Sequence, residues 1–167
     1  MVDAIPALVT EKSVKLFEEF GVYTKAELLS RVEIQYEAYA KAINIEARTM
    51  IDIAGKQIIP AVVKYITSLA NSINTVKAAA DVDVSVQTEL LTETSDLLSD
   101  TKRALAHLTD VTNLAAQIEG CKAQAEYFRD NVVTAMADLR EPVDKLEMIV
   151  DKDMWPMPSY GDLIFEV

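Results

Sequence analysis

Two long stretches of helix-forming sequence, separated by one short loop, constrain the fold of this chain more than any other feature. From about Lys25 to Ala79 a 4-4-3 spacing of apolar residues runs through Leu28, Val32, Tyr36, Tyr39, Ile43, Ala47, Met50, Ala54, Ile58, Ala61, Tyr65, Leu69 and then Val76. Eleven residues in three turns is about 3.67 residues per turn, close to an undistorted α-helix. Because the stripe keeps its phase across Pro60, we expect one helix, kinked at Pro60 by the missing backbone hydrogen bond.

The second long stretch follows a loop at about 80–85 and predicts a helix from about residue 86 to 140. Its apolar residues recur every seven positions, at Leu90, Leu97, Ala104, Val111, Ile118, Ala125, Val132 and Leu139, flanked by Leu98, Leu105, Leu108, Leu114, Cys121 and Phe128. Gly120 weakens this helix by about 1 kcal/mol relative to alanine and marks a bend or a close approach of a neighbour. Two helices joined by a short loop should form an antiparallel hairpin. Whether they stay straight or fold over at Pro60 and Gly120 into a compact bundle is open.

Capping residues mark the ends of the helices. Thr10 suits the N-cap of a first short helix, and Gly21 stands where a left-handed residue often ends one. Thr24 and Glu27 have the capping-box spacing that begins the first long helix. Pro142 favours the start of a last short helix, whose first turn needs no N–H from it. With only four glycines and five prolines in the chain, these signals predict one all-α domain over residues 1–167, with helices at about 11–20, 25–79, 86–140 and 142–150.

The C-terminal segment 151–167 differs from the rest in composition. It contains the single tryptophan of the chain and two of its five prolines. A terminus frays unless something holds it, and a run rich in aromatic and aliphatic residues is poorly solvated. We therefore expect an extended docking tail, anchored by Trp155 and Phe165, that folds back along the hairpin or onto a neighbouring domain. Its candidate interface residues are Trp155, Pro156, Pro158, Tyr160, Leu163 and Phe165.

Charge and composition exclude several classes of partner. The formal net charge is −11, which repels phosphate backbones and anionic lipid surfaces, so neither nucleic acid nor membrane is an expected partner. No apolar run is long enough to span a bilayer, and the N-terminus lacks the pattern of a secretory signal. The single cysteine excludes an internal disulfide and fits a reducing compartment. These features predict a cytoplasmic protein.

Candidate chemistry in the chain is sparse. His107 has no second histidine to complete a metal site, and Cys121 on an apolar stripe is expected to be a small buried hydrophobe. Six acids without any lysine or arginine between Ala78 and Thr101 fit either a site for a cation or basic partner, or a solvated helix face: Asp81, Asp83, Glu89, Glu93, Asp96 and Asp100. We predict no catalytic, cofactor-binding or metal-binding residue in the chain.

The most specific sequence motifs lie in four segments: Phe20–Leu28 (FGVYTKAEL), Ile43–Met50 (INIEARTM), Gln57–Val62 (QIIPAV) and Trp155–Leu163 (WPMPSYGDL). In this order they resemble the C-terminal region of type III glutamine synthetases. The resemblance implies a fragment of a large bacterial enzyme of nitrogen metabolism, which makes glutamine from glutamate, ammonia and ATP. It also implies that the catalytic α/β region, with its ATP and Mg or Mn, lies upstream.

No catalytic residue of that family can be assigned here, because no residue of this sequence matches the motifs of the family's catalytic region. The resemblance therefore implies a non-catalytic helical domain with a structural or interaction role. Its expected partners are its own catalytic domain and neighbouring subunits of a homo-oligomer. The alternative is an independent helical bundle that binds another protein through its long hairpin, since many unrelated interaction modules share such periodicity.

Overall fold

The computed structural model describes residues 1–158 and 160–165, and every regular element in that part of the chain is helical, which confirms the all-α prediction. A 3₁₀ helix comes first, at Val2–Val9. The α-helices are α1 (Glu11–Glu19), α2 (Lys25–Ile53), α3 (Ile59–Ala79), α4 (Ser85–Ala115), α5 (Cys121–Tyr127), α6 (Val133–Ile149) and α7 (Tyr160–Phe165). Two wider π turns, Ala54–Ile58 and Phe128–Val132, join α2 to α3 and α5 to α6.

The first long segment is helical from Lys25 to Ala79, and every residue of its predicted stripe is buried or half-buried. The irregularity lies just before Pro60 and takes the form of a π turn. There the Ile59 N–H donates to the carbonyl of Ala54, five residues back. Pro60 has no N–H for the carbonyl of Lys56, so regular bonding is already interrupted at this point and a wider turn is tolerated.

The prediction of one continuous helix over residues 86–140 is wrong. Helix α4 ends at Ala115, and α5 begins only at Cys121. Gly120 has a φ of 89°, which a right-handed helix does not contain. Before it, the N–H groups of Gln117 and Ile118 donate three residues back, to the carbonyls of Leu114 and Ala115, and so close the end of α4.

The predicted start of a separate helix at Pro142 is also wrong, because Pro142 lies inside α6. Pro142 is itself buried, and Leu139 and Leu146 on either side of it are almost fully buried. Burying the apolar face of one uninterrupted helix offsets the single hydrogen bond that the proline cannot make.

Residues Met1–Thr49 and Thr109–Met136 form one compact unit, which we call unit 1. Its core joins the 3₁₀ helix, α2 and α5 through Val2, Ile5, Val32, Tyr36 and Ala125. The capping and periodicity signals predict no element in the first nine residues, yet Val2 and Ile5 are both buried there.

Residues Met50–Leu108 and Ala137–Val167 form the other compact unit, unit 2. Ile58, Val62, Leu146 and Val150 make its core, and half-buried residues of α3, α4 and α6 pack around them. Ile66 of α3 and Leu98 of α4 belong to the same cluster and lie similar distances from the connecting loop. The two helices therefore pair as the antiparallel hairpin that the sequence predicts. No helix in the described part of the chain combines the length and the apolar character that crossing a membrane requires.

Candidate functional site

The C-terminal segment leaves α6 through a turn built on Asp151. The carbonyl of Asp151 accepts hydrogen bonds from the N–H groups of Met154 and Trp155, both at 3.0 Å. Its carboxylate accepts a third, from the Asp153 N–H at 2.7 Å. This turn places the Trp155 side chain against the core of unit 2, where it packs on the cluster formed by Ile58, Val62, Leu146 and Val150.

Beside Trp155 lies an apolar groove of about 840 Å³ within unit 2. Three parts of the unit form its walls: the region where α2 passes into α3, the part of α6 from Leu139 to Met148, and the C-terminal segment. The residues that line it are Met50, Ile53, Ala54, Ile58, Leu139, Arg140, Val143, Asp144, Glu147, Met148, Trp155, Met157, Pro158 and Leu163. We call this feature the unit 2 groove.

The structure brings some of the predicted docking residues together. Trp155, Pro158 and Leu163 all line the unit 2 groove, and Pro156 beside them is half-buried. Phe165, the second expected anchor, is 82% exposed. The Tyr160 side chain lies outside the described residues, as do Ser159, Glu166 and Val167.

The segment expected to be an extended tail contains a short helix, α7. Leu163, Ile164 and Phe165 on this helix are exposed by 66%, 65% and 82%. An ion pair of 3.1 Å between Lys152 and Asp162 joins α7 to the preceding turn. Among the described residues, the buried indole nitrogen of Trp155 has no hydrogen-bond partner. Docking of this segment, either back along the hairpin or on a neighbouring domain, stays a prediction.

The acidic stretch lies mainly on one exposed face of α4. Glu89, Glu93, Asp96 and Asp100 line an open depression opposite Lys145 of α6. Lys145 is held by Glu141 at 2.9 Å, and this hydrogen bond raises the pKa of the Lys145 ammonium. Within the described residues, no cluster of three or more histidine, cysteine or acidic side chains is placed to hold a metal ion.

Individual polar candidates turn out to have local roles. Asp83 caps α4, because its carboxylate accepts from the Ser85 N–H at 2.9 Å and the Ser85 hydroxyl at 3.0 Å, and these bonds lower the pKa of Asp83. His107 is exposed. The prediction that Cys121 is buried is wrong: it is exposed as the first residue of α5, because the break at Gly120 removes it from the apolar stripe.

Unit 1 contains a charged cluster that no sequence motif predicts. The Arg129 guanidinium donates two hydrogen bonds to the Asp130 carboxylate, from Nε at 2.6 Å and from Nη2 at 2.8 Å. Its Nη1 donates to the carboxylate of Asp3 in the 3₁₀ helix. The bonds to Asp130 raise the pKa of Arg129 and lower that of Asp130, while burial raises the pKa of the nearby Tyr39 hydroxyl. No local pattern in the sequence could indicate a pair as distant as Asp3 and Arg129.

Helix α1 also presents apolar residues to solvent. None of its residues is buried, and Leu16, Phe20 and Val22 on and after it are 51%, 72% and 53% exposed. The turn that follows is ordered by Tyr23, whose ring contacts Phe17 at 5.7 Å between centroids and carries the Arg31 guanidinium at 4.2 Å. Exposed apolar residues on an ordered frame are typical of contact surfaces.

Comparison with known proteins agrees with the resemblance seen in the sequence. Residues 1–77 match the family described as the glutamine synthetase C-terminal domain. A glutamine synthetase from Butyrivibrio fibrisolvens is 28% identical over 99% of this chain and 24% of its own length. A type-3 glutamine synthetase from Dictyostelium discoideum is 26% identical over 98% of this chain and 23% of its own length.

A glutamine synthetase from Bacteroides fragilis (strain YCH46) is 28% identical over 86% of this chain and 20% of its own length. The chain thus spans about a quarter or less of the relatives that it matches. It is homologous to the C-terminal region of glutamine synthetases, type III among them.

Proposed function

We propose that this chain is the helical C-terminal domain of a type III glutamine synthetase, with a structural and interaction role and no catalysis of its own. The observation that carries the proposal is the match of residues 1–77 to the glutamine synthetase C-terminal domain, combined with relatives about four times as long as this chain. Apolar residues of α1, of α7 and of the unit 2 groove are exposed to solvent. Such exposed apolar surface supports a domain whose role is to bind other protein surfaces.

In this proposal the parent enzyme joins ammonia to glutamate at the expense of ATP in the cytoplasm of a bacterium. Its ATP and its Mg or Mn ions belong to the catalytic domain, and the residues described here take no part in holding them. The partners of the C-terminal domain are that catalytic domain and neighbouring subunits of a homo-oligomer. A net charge of −11 supports protein partners over nucleic acid or membrane surfaces.

The test compares the complete parent enzyme with a version that lacks this domain. We expect the truncated enzyme to sediment as a smaller assembly. Its rate of glutamine formation should fall in proportion to the loss of the large assembly. We expect the isolated chain to form no glutamine from glutamate, ammonia and ATP. Glutamine formation by the isolated chain, or a truncated enzyme of unchanged assembly and activity, would refute the proposal.

A further inference from the structure

The unit 2 groove has the composition of a surface that accepts a helix. Three methionines line it, and their flexible, polarisable side chains adapt to the shape of an apolar partner. One of them, Met148, is 85% exposed, and Leu163 across the groove is 66% exposed. Amphipathic helices bind in apolar grooves of this kind by seating apolar residues that recur every three or four positions.

The charges around the unit 2 groove are unbalanced. Its cations are already paired, Arg140 with Asp144 at 3.3 Å and Lys152 with Asp162 at 3.1 Å. Glu147 lines the groove and forms no ion pair within the described chain. The exposed Asp151 and Asp153, which precede the groove residue Trp155 in the chain, form none there either. The excess charge at this surface is therefore negative.

The excess negative charge around the unit 2 groove favours some binding partners over others. A second copy of the chain carries the same net charge of −11 and is repelled at long range. A partner with basic residues around an apolar stripe is attracted instead, and electrostatic complementarity of this kind fixes both specificity and the rate of association.

We propose that the unit 2 groove binds an amphipathic helix with a basic polar face. The apolar stripe of the helix seats on Met148, Trp155 and Leu163, and its lysine or arginine residues face Glu147 and Asp151. The inference rests on the proposed function and deepens it, because it gives the chemistry of one contact that the domain makes.

Trp155 makes the test direct, since it is the single tryptophan of the chain and lines the groove. The complete 167-residue chain is titrated with a tryptophan-free synthetic helix of leucine and lysine, and Trp155 emission is followed. We expect a saturable shift of the emission to shorter wavelength. A helix of leucine and glutamate should cause no shift at the same concentrations.

Two pairs of variants separate groove binding from general attraction to an acidic protein. Met148→Ser removes an exposed apolar contact in the groove, and Val86→Ser removes one on α4, where Val86 is 65% exposed. Glu147→Lys reverses a charge in the groove, and Glu119→Lys reverses an exposed one in the loop before α5. We expect each groove variant to weaken binding about 10-fold, a cost typical of one lost anchor, and each control to stay within about 2-fold.

Equal weakening by the control variants, or equal binding of the leucine–glutamate helix, would overturn the proposal. So would a dimer of the unmodified chain that Met148→Ser dissociates, because a second copy would then be the occupant. None of these outcomes alters the proposed function, which the assembly and activity of the parent enzyme decide separately.

Discussion

Thr94 and Thr101 are fully buried in α4 although each carries a hydroxyl group. Each hydroxyl donates to the carbonyl one turn back, Thr94 to Leu90 at 2.6 Å and Thr101 to Leu97 at 2.8 Å. The buried line of α4 therefore runs through positions 94, 101, 108 and 115, all with 0% exposure. The predicted stripe included Leu108 but not Thr94 and Thr101, because a threonine that satisfies its own hydroxyl cannot be told from a solvated one in the sequence.

Substitutions at Thr101 test whether this hydroxyl is satisfied within its own helix. Thr101→Val keeps the branched shape, and the Leu97 carbonyl keeps its backbone bond, so the free energy of unfolding should stay within about 1 kcal/mol of the unmodified chain. Thr101→Ser leaves a methyl-sized void and should cost about 1 kcal/mol. Urea unfolding followed by circular dichroism measures both. A larger loss for valine than for serine would mean that the hydroxyl has another essential partner.

The capping box at the start of α2 predicts a dependence of stability on pH. The Glu27 carboxylate accepts from the N–H of Thr24 at 2.7 Å and its hydroxyl at 2.8 Å, and the bonds with Thr24 lower the pKa of Glu27. Because the folded pKa lies below the unfolded one, about 4.3, this stabilisation is present above pH 4.3 and is lost as pH falls through the folded pKa.

Urea midpoints of the unmodified chain and Glu27→Gln should therefore differ near pH 7 and converge in acid. Glu33→Gln, an exposed change on the same helix, should show a constant difference at both pH values. A Glu27→Gln difference that does not shrink in acid would contradict the capping role of the carboxylate.

At the scale of elements, the apolar pattern predicted the helices themselves but not where the second long segment breaks or continues. The eleven-residue spacing predicted the whole segment Lys25–Ala79, because every residue of its stripe is buried or half-buried. The break at Gly120 depends on a backbone conformation, and the continuity through Pro142 depends on tertiary burial, and the apolar pattern contains neither. The groove was equally hidden: Trp155 and Leu163 were identified as docking residues, but Met50 and Met148, far apart in the chain, complete it.

The two central glycines should respond in opposite ways to alanine. Gly120 has positive φ, so alanine there is strained and should destabilise by about 1–2 kcal/mol, although nothing obstructs its methyl group. Gly55 lies in a π turn with an ordinary φ, and a methyl group there would meet Leu105 at 3.8 Å. Gly55→Ala should stabilise by about 0.4–1 kcal/mol. Thermal unfolding of the two variants measures both effects. A stabilising Gly120→Ala together with a destabilising Gly55→Ala would contradict the break after α4.

Arg129 fastens the N-terminal 3₁₀ helix to the rest of unit 1. Lysine keeps the charge but cannot reach Asp3 and grip Asp130 together. Arg129→Lys should therefore raise amide exchange in residues 2–9 and leave α3 unchanged, as hydrogen exchange with mass spectrometry would show. Arg103→Lys, an exposed pair member in unit 2, is the control. Unaltered exchange over 2–9 would mean that Val2 and Ile5 hold the segment by burial.

At the scale of the whole molecule, charge and exposed apolar surface support the proposal of a domain that contacts other protein. The chain carries a net charge of −11, and apolar residues of α1, α7 and the unit 2 groove face solvent. Its relatives are glutamine synthetases of which it spans about a quarter or less. The central claim is that this helical domain acts as part of such an enzyme.

An antibody raised against this chain, used on native cell extract, tests that claim most directly. The account predicts a single polypeptide of about four times the 18.5 kDa of this chain, which co-elutes with glutamine-forming activity. A free polypeptide of 18.5 kDa, separate from that activity, would contradict it.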